Sequence, residues 1–236
     1  MQPKRLQLGA SRFSKTTSKA LELFTDGTWT HLGDAKGNEG LIKHWVFKSL
    51  ILRPLVNLVR ARKGKPSMKT ALEAYKRCNF FPWVFEPGDR LDFPDDTFTF
   101  IFSEHLLEHF QHEVANSLIR EMARVLMPGG VLRICVPDAK LRNYLPPEPE
   151  GYPEKLPWDH PEKHKVRWTM YSLSDALIEA GLNPIALQYC DTDSNFYDNH
   201  PETLRGSYPD TADKMVFSYD YMKRFPSLIV DGVKAS

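Results

Sequence analysis

Two apolar runs joined by one amphipathic stretch place the tightest limit on what this chain can fold into. Residues 98–103 (FTFIFS) and 131–137 (VLRICVP) are too uniformly apolar to alternate between core and solvent. Each therefore reads as a strand covered on both faces, the signature of a parallel sheet. Between them, residues 112–126 space Val114, Leu118, Met122 and Val125 for one face of a helix. Pro128, Gly129 and Gly130 end that helix and let the next strand begin.

The flanking sequence repeats the alternation. Residues 4–9 read as a strand ending in Gly9, ALELF as a short helix, and residues 28–33 as a second strand closed by Asp34. Residues 41–63 are amphipathic, with Pro54 forcing a break or kink, and residues 67–78 form a helix capped by Ser67. WVFEPGD is a strand running into a turn. Residues 143–168 carry six prolines and form a long loop. SLSDALIEAGL is a helix capped by Ser172 or Ser174 and stopped by Gly181; PIALQYC is a strand. KMVFSYDYM and SLIVDGVKA read as two further strands able to pair antiparallel. The expected architecture is α/β: a Rossmann-like parallel sheet with an antiparallel C-terminal strand pair. It forms a single domain over residues 1–236, with a helical insertion at about 36–80 and the Pro-rich loop at about 143–168. In such sheets ligands lie beyond the carboxyl ends of the strands. That marks Gly9 to Arg12, Asp34, Glu86 to Asp89, Ser103 to His109 and Pro137 to Asp138.

Composition narrows the function. With 31 basic and 30 acidic residues the formal charge is +1, so bulk attraction to nucleic acid is not indicated. Three widely spaced cysteines, Cys78, Cys135 and Cys190, form no C-x-x-C pair, which argues against a zinc framework or disulfides. They fit a reducing, cytoplasmic setting. No stretch suits a signal peptide or a spanning helix.

The block LDFPDDTFTFIFSEHLLEHF, followed by LIREMARVLMPGGVLRICVPD, resembles the central and later motifs of class I S-adenosylmethionine-dependent methyltransferases. It is similar to the small type 11-like members associated with surface-polysaccharide synthesis. Leu91, Phe93, Asp95, Phe98, Ser103, His105, Leu107, Glu108 and His109 carry the first half of the match. Glu121, Arg124, Val125, Leu126, Pro128, Gly129, Gly130, Val136, Pro137 and Asp138 carry the second. The departure is at the first motif, where Gly9, Ala10 and Ser11 supply one glycine in place of two or three. The Asp95-Asp96 pair reads as a solvated turn without chemistry.

The resemblance implies S-adenosylmethionine as cofactor, held by Gly9, Ala10 and Ser11 and by Asp34, whose carboxylate can accept from both ribose hydroxyls. Asp26 is the fallback for Asp34. Glu86 or Asp89 would meet the adenine amino group, and Ser103 would line the cofactor site. The expected reaction is O-methylation of a sugar or glycan hydroxyl. A hydroxyl acceptor benefits from a general base with a pKa near 7. His105 is the first candidate. His109 lies four residues on, a spacing that also suits a divalent metal if the segment is helical. His160 and His164, on the Pro-rich loop, can reach an acceptor. Two alternatives stand beside this reading: a methyltransferase of a small metabolite (a phenol, a quinone-like acceptor or an amine), and a degenerate fold serving as a scaffold. The basic, apolar 41–63 segment is a packed helix, a peripheral membrane contact or a homodimer contact.

Overall fold

The computed structural model describes residues 4–10, 16–34, 49, 52–141, 164–193, 195–224 and 227–236. The chain divides into two compact units, residues 1–84 and 85–236. Cys78, Cys135 and Cys190 are free thiols. Among the described residues no helix is long and apolar enough to cross a membrane.

In the first unit three strands run parallel: β1 (Arg5–Leu8), β2 (Trp29–Gly33) and β3 (Asn79–Pro82), with β2 in the middle. Helix α1 (Ser18–Phe24) turns its Ala20, Leu21 and Phe24 into the core and is capped by Thr17. Helix α2 (Leu52–Arg62) carries Pro54; just before it, Arg53 N donates to the Ser49 carbonyl at 3.2 Å and Leu52 N to Ser49 Oγ at 3.1 Å. None of its residues is buried, and Leu55, Leu58 and Val59 face solvent. Of the expected helical stretch 41–63, residues 41–48, 50 and 51 lie outside the described residues. Helix α3 (Met68–Arg77) has the Ser67 cap the sequence predicts, the hydroxyl accepting from Thr70 N. The strand expected in WVFEPGD lies earlier, at β3.

A buried polar pair locks this unit together. His31, on β2, is fully buried, with Nε2 2.9 Å from the Phe24 carbonyl and Nδ1 2.8 Å from the end of the Gln7 amide. Burial pulls its pKa down to about 4, against the smaller opposing effects of the Phe24 carbonyl and Asp26. The ring is therefore neutral: Nε2–H donates to Phe24, and Nδ1 accepts once the Gln7 amide presents its nitrogen. The unfolded chain protonates His31 below about pH 6.5, whereas the folded chain resists until about pH 4. More protons are bound unfolded in that window, so this stability is fully present above pH 6.5 and is lost as pH falls to 4. The shift corresponds to about 3 kcal/mol. In denaturant titrations, wild type should lose that much relative to His31→Gln between pH 7 and 4; parallel profiles would remove the assignment.

The second unit holds β4 (Phe98–Glu104), α4 (His112–Val125), β5 (Leu126–Val136), α5 (Met170–Glu179), β6 (Leu182–Cys190), β7 (Phe196–Asp198) and β8 (Leu228–Lys234). β4 and β5 are parallel. β8 is antiparallel to both β5 and β6, and β7 is antiparallel to β6. KMVFSYDYM is not a strand: residues Lys214–Phe217 form a 3-10 turn and Tyr219–Met222 a short helix, α6. The Asp213 carboxylate accepts from Met215 N at 2.9 Å and so starts that turn. β8 consequently pairs with β5 and β6 and not with its sequence neighbour. Helix α5 is capped by Thr169, with Ser172 closing the reciprocal half of a capping box. Of the Pro-rich loop, 142–163 lies outside the described residues; Trp168, at its end, bridges to Asp138 and is fully buried.

The central motif has a structural logic of its own. Arg124 on α4 donates to the carbonyls of Leu91 and Phe93 and to the carboxylates of Glu121 and Asp95, while Glu121 accepts from Leu91 N. Asp96, at φ 53°, receives the Lys234 ammonium at 2.8 Å. Asp95 and Asp96 form the exposed turn the sequence predicts, with Asp95 paired to Arg124 on α4 and Asp96 to Lys234 on β8.

Candidate active site

In the first unit, β1 ends at Gly9, whose φ of 78° is open to glycine at little cost. Ala10 follows, buried, its N–H donating to the Leu32 carbonyl at 3.1 Å. The pairing of Leu8 with Leu32 brings Gly9, Ala10 and Asp34 to the same, carboxyl end of this parallel pair. Asp34 is exposed there. Ser11 lies outside the described residues. Asp26 precedes β2 and so sits at the opposite end, where it accepts from Arg5 and from Thr28 N and Oγ1. That excludes it as a stand-in for Asp34. The sequence reading missed Gly33. A Cβ there would overlap the Ala10 carbonyl oxygen and come within 2.8 Å of Ala10 N and C. The one available signal was its place directly before the acidic residue.

In the second unit, the residues after β4 form a tight group. Ser103 is fully buried and its hydroxyl has no partner among the described residues. His105 takes a left-handed backbone, φ 46°, a strain of about 1 kcal/mol or more that neighbouring contacts must hold. Its Nδ1 lies 3.0 Å from Glu108 Oε1, and its Nε2 is 3.2 Å from Ser227 Oγ. Burial alone would lower the imidazole, but hydrogen bonds with the Cys135 side chain and Glu108 outweigh it and raise it to about 11. The expected α-helical turn through SEHLLEHF is absent; Leu107–His109 make a single 3-10 turn. His105 and His109 are consequently not stacked as i and i+4. His109 instead meets His164, ring centroids 4.9 Å apart and edge to face. The Glu108 carbonyl accepts from Lys165 N at 2.6 Å and Val166 N at 3.3 Å, fixing His164 beside it. Glu108, His109 and His164 place one ligand atom each within 4.8 Å of one another.

Three further sequence candidates lie in the second unit. Glu86 and Asp89 are exposed and serve each other across the Gly88 turn, Asp89 Oδ2 accepting from Glu86 N at 2.8 Å. Asp138 is buried, its pKa raised by that burial; it accepts from Cys190 N and Lys140 N and ties the ends of β5 and β6. His160 lies outside the described residues.

Comparison with known proteins agrees with this architecture. Residues 52–134 match the family model for a methyltransferase domain. No curated protein sequence matches the chain. A Haloferax volcanii putative methyltransferase, solved in complex with the Trm112 methyltransferase activator, is 17% identical with a TM-score of 0.50, over 100% of this chain and 86% of that one. A Thermotoga maritima S-adenosylmethionine-dependent methyltransferase, described as a possible histamine N-methyltransferase, is 12% identical with a TM-score of 0.50, over 99% of this chain and 83% of that one. At these identities the two structures speak to the fold. The domain match spans the very block that carries the Glu121–Arg124 clamp and the His105–His109 turn, and over those residues the chain is similar to a methyltransferase domain.

Proposed function

We propose that the chain methylates the hydroxyl of a sugar or glycan, with Gly9, Ala10 and Asp34 holding S-adenosylmethionine. The close approach of the β1 end to Gly33, and the left-handed Gly9, fit a loop whose backbone must meet a ligand closely. Asp34, at the end of β2, offers a carboxylate for paired ribose hydroxyls. The cofactor supplies an electrophilic methyl group; the chain must orient the acceptor and deal with its proton.

The observation that carries the hydroxyl reading is the Glu108–His109–His164 group. A hydroxyl is a weak nucleophile at neutral pH and needs its proton removed. His105 is the wrong group for that step, because both of its ring nitrogens are already engaged. We assign it to positioning Glu108 and place the activation of the acceptor hydroxyl at the Glu108–His109–His164 group. The sugar half of the reading rests on the resemblance to methyltransferases of surface-polysaccharide synthesis.

Calorimetric titration and labelled-methyl transfer test both halves. Asp34→Ala should weaken S-adenosylmethionine binding tenfold or more, since two hydrogen bonds to a charged acceptor are lost. His109→Ala should leave that binding intact and slow turnover about 100-fold. The label should pass to oligosaccharide hydroxyls. Transfer to phenols or amines alone would replace the sugar acceptor with a small metabolite.

A further inference from the structure

We propose that Glu108, His109 and His164 form a binding site for a divalent transition-metal ion. Three features of the second unit converge on it. The donor atoms already lie within 4.8 Å of one another. A tetrahedral ion with bonds of about 2.1 Å needs its ligands about 3.4 Å apart. Side-chain rotation of about 1 Å closes that gap, and the 3-10 turn together with the Lys165 and Val166 hydrogen bonds keeps the backbones in place meanwhile.

The second feature is Glu108 itself. The residue is 1% exposed; Oε1 is taken by His105, while Oε2 is buried without a hydrogen-bond partner among the described residues. A desolvated, unpaired carboxylate oxygen is costly, and a cation is the partner that offsets it best. His105 then does for Glu108 what an outer-shell group does for any metal ligand: it fixes the carboxylate's orientation.

The third is the donor chemistry. Two imidazoles and one carboxylate suit zinc, iron, manganese, nickel or copper, whereas magnesium and calcium prefer an all-oxygen shell. Three protein ligands, one of them the exposed His109, leave a coordination position open. That position would take the acceptor oxygen, and a coordinated hydroxyl releases its proton to water far more readily than a free one. This use of the ion rests on the hydroxyl-acceptor reading above; the binding of the ion does not.

The test is equilibrium dialysis of the chelator-treated full chain against zinc, with visible absorption of the cobalt-loaded form as a spectroscopic check. We expect one ion per chain at micromolar affinity or tighter, with a cobalt spectrum of low coordination number. His164→Ala, a partly exposed position, and Glu108→Gln should each weaken binding at least 100-fold, while His112→Gln should leave it unchanged. Should Glu108→Gln fail to fold, His164→Ala decides alone. Equal affinity for zinc in wild type and in His109→Ala/His164→Ala would overturn the site. S-adenosylmethionine titration of the same samples keeps the two ideas separate. Cofactor binding without metal binding sinks the metal site alone, and metal binding without methyl transfer to hydroxyls sinks the acceptor reading alone.

Discussion

Asp231→Ala should destabilise the fold by about 3–5 kcal/mol, the range for removing one partner of a buried ion pair. Asp231 on β8 faces Arg133 on β5 directly across the antiparallel ladder, and neither side chain is exposed at all. The pairing is bidentate: Nε to Oδ1 at 2.8 Å and Nη2 to Oδ2 at 2.7 Å. Tyr208 donates its hydroxyl to Oδ2 at 2.8 Å, the Val216 carbonyl accepts from Arg133, and the guanidinium lies over the Phe100 and Tyr219 rings. Burial would lower the Arg133 pKa, but the Asp231 carboxylate more than offsets it and holds the guanidinium charged. Without Asp231 that charge stays buried with no counter-ion, and Tyr208 loses its acceptor.

Against a total stability of about 5–15 kcal/mol, a loss of that size threatens the folded state itself. Urea unfolding measures it directly. A paired variant makes the cause visible. Arg133→Met combined with Asp231→Leu removes both charges at similar volume and should recover most of the loss, because the penalty comes from the orphaned ion. If Asp231→Ala cost under about 1 kcal/mol, the pair would be hydrated and not part of a sealed core.

The same pair shows where reading the sequence stops. VLRICVP and SLIVDGVK each announce a strand, and the charge in the middle of each is the only hint of a partner. Register decides that Arg133 meets Asp231, and register depends on β8 entering between β5 and β6, a choice made by tertiary pairing. KMVFSYDYM misled for a related reason. Its β-branched and aromatic content suits a strand, but the Asp213 cap and the burial of Met215, Val216, Tyr219 and Met222 favour turns that deliver those side chains inward. Periodicity was reliable where elements are long and one-sided, as in α4, or flanked by stop signals, as at Gly181. At the site, residue types were legible and partners were not. His105, Glu108 and His109 stand out in the motif, yet their division of labour follows from a positive φ at His105 and from His164, 55 residues after His109, docking through backbone hydrogen bonds.

Gly33→Ala should cut S-adenosylmethionine affinity tenfold or more and cost about 1–3 kcal/mol of stability, as over-packing does. Its added methyl would overlap the Ala10 carbonyl oxygen, and the clashing atoms are main chain, so no rotamer change relieves them. The ends of β1 and β2 must part, breaking the hydrogen bond from Ala10 N to the Leu32 carbonyl and displacing the turn at Gly9. A cofactor held by that turn and by Asp34, the next residue along, loses both contacts together, and a shift of about 1 Å in a positioned group is enough to be felt. Gly206→Ala, where a Cβ meets nothing within 4 Å, is the control for generic loss of glycine. Stability and affinity falling together in Gly33→Ala, with Gly206→Ala silent, would place the cofactor at the β1–β2 end. A destabilised Gly33→Ala chain that binds S-adenosylmethionine as tightly as wild type would mean that Gly33 serves only to pack the two strands, and that Gly9 and Asp34 are not the residues that hold the cofactor.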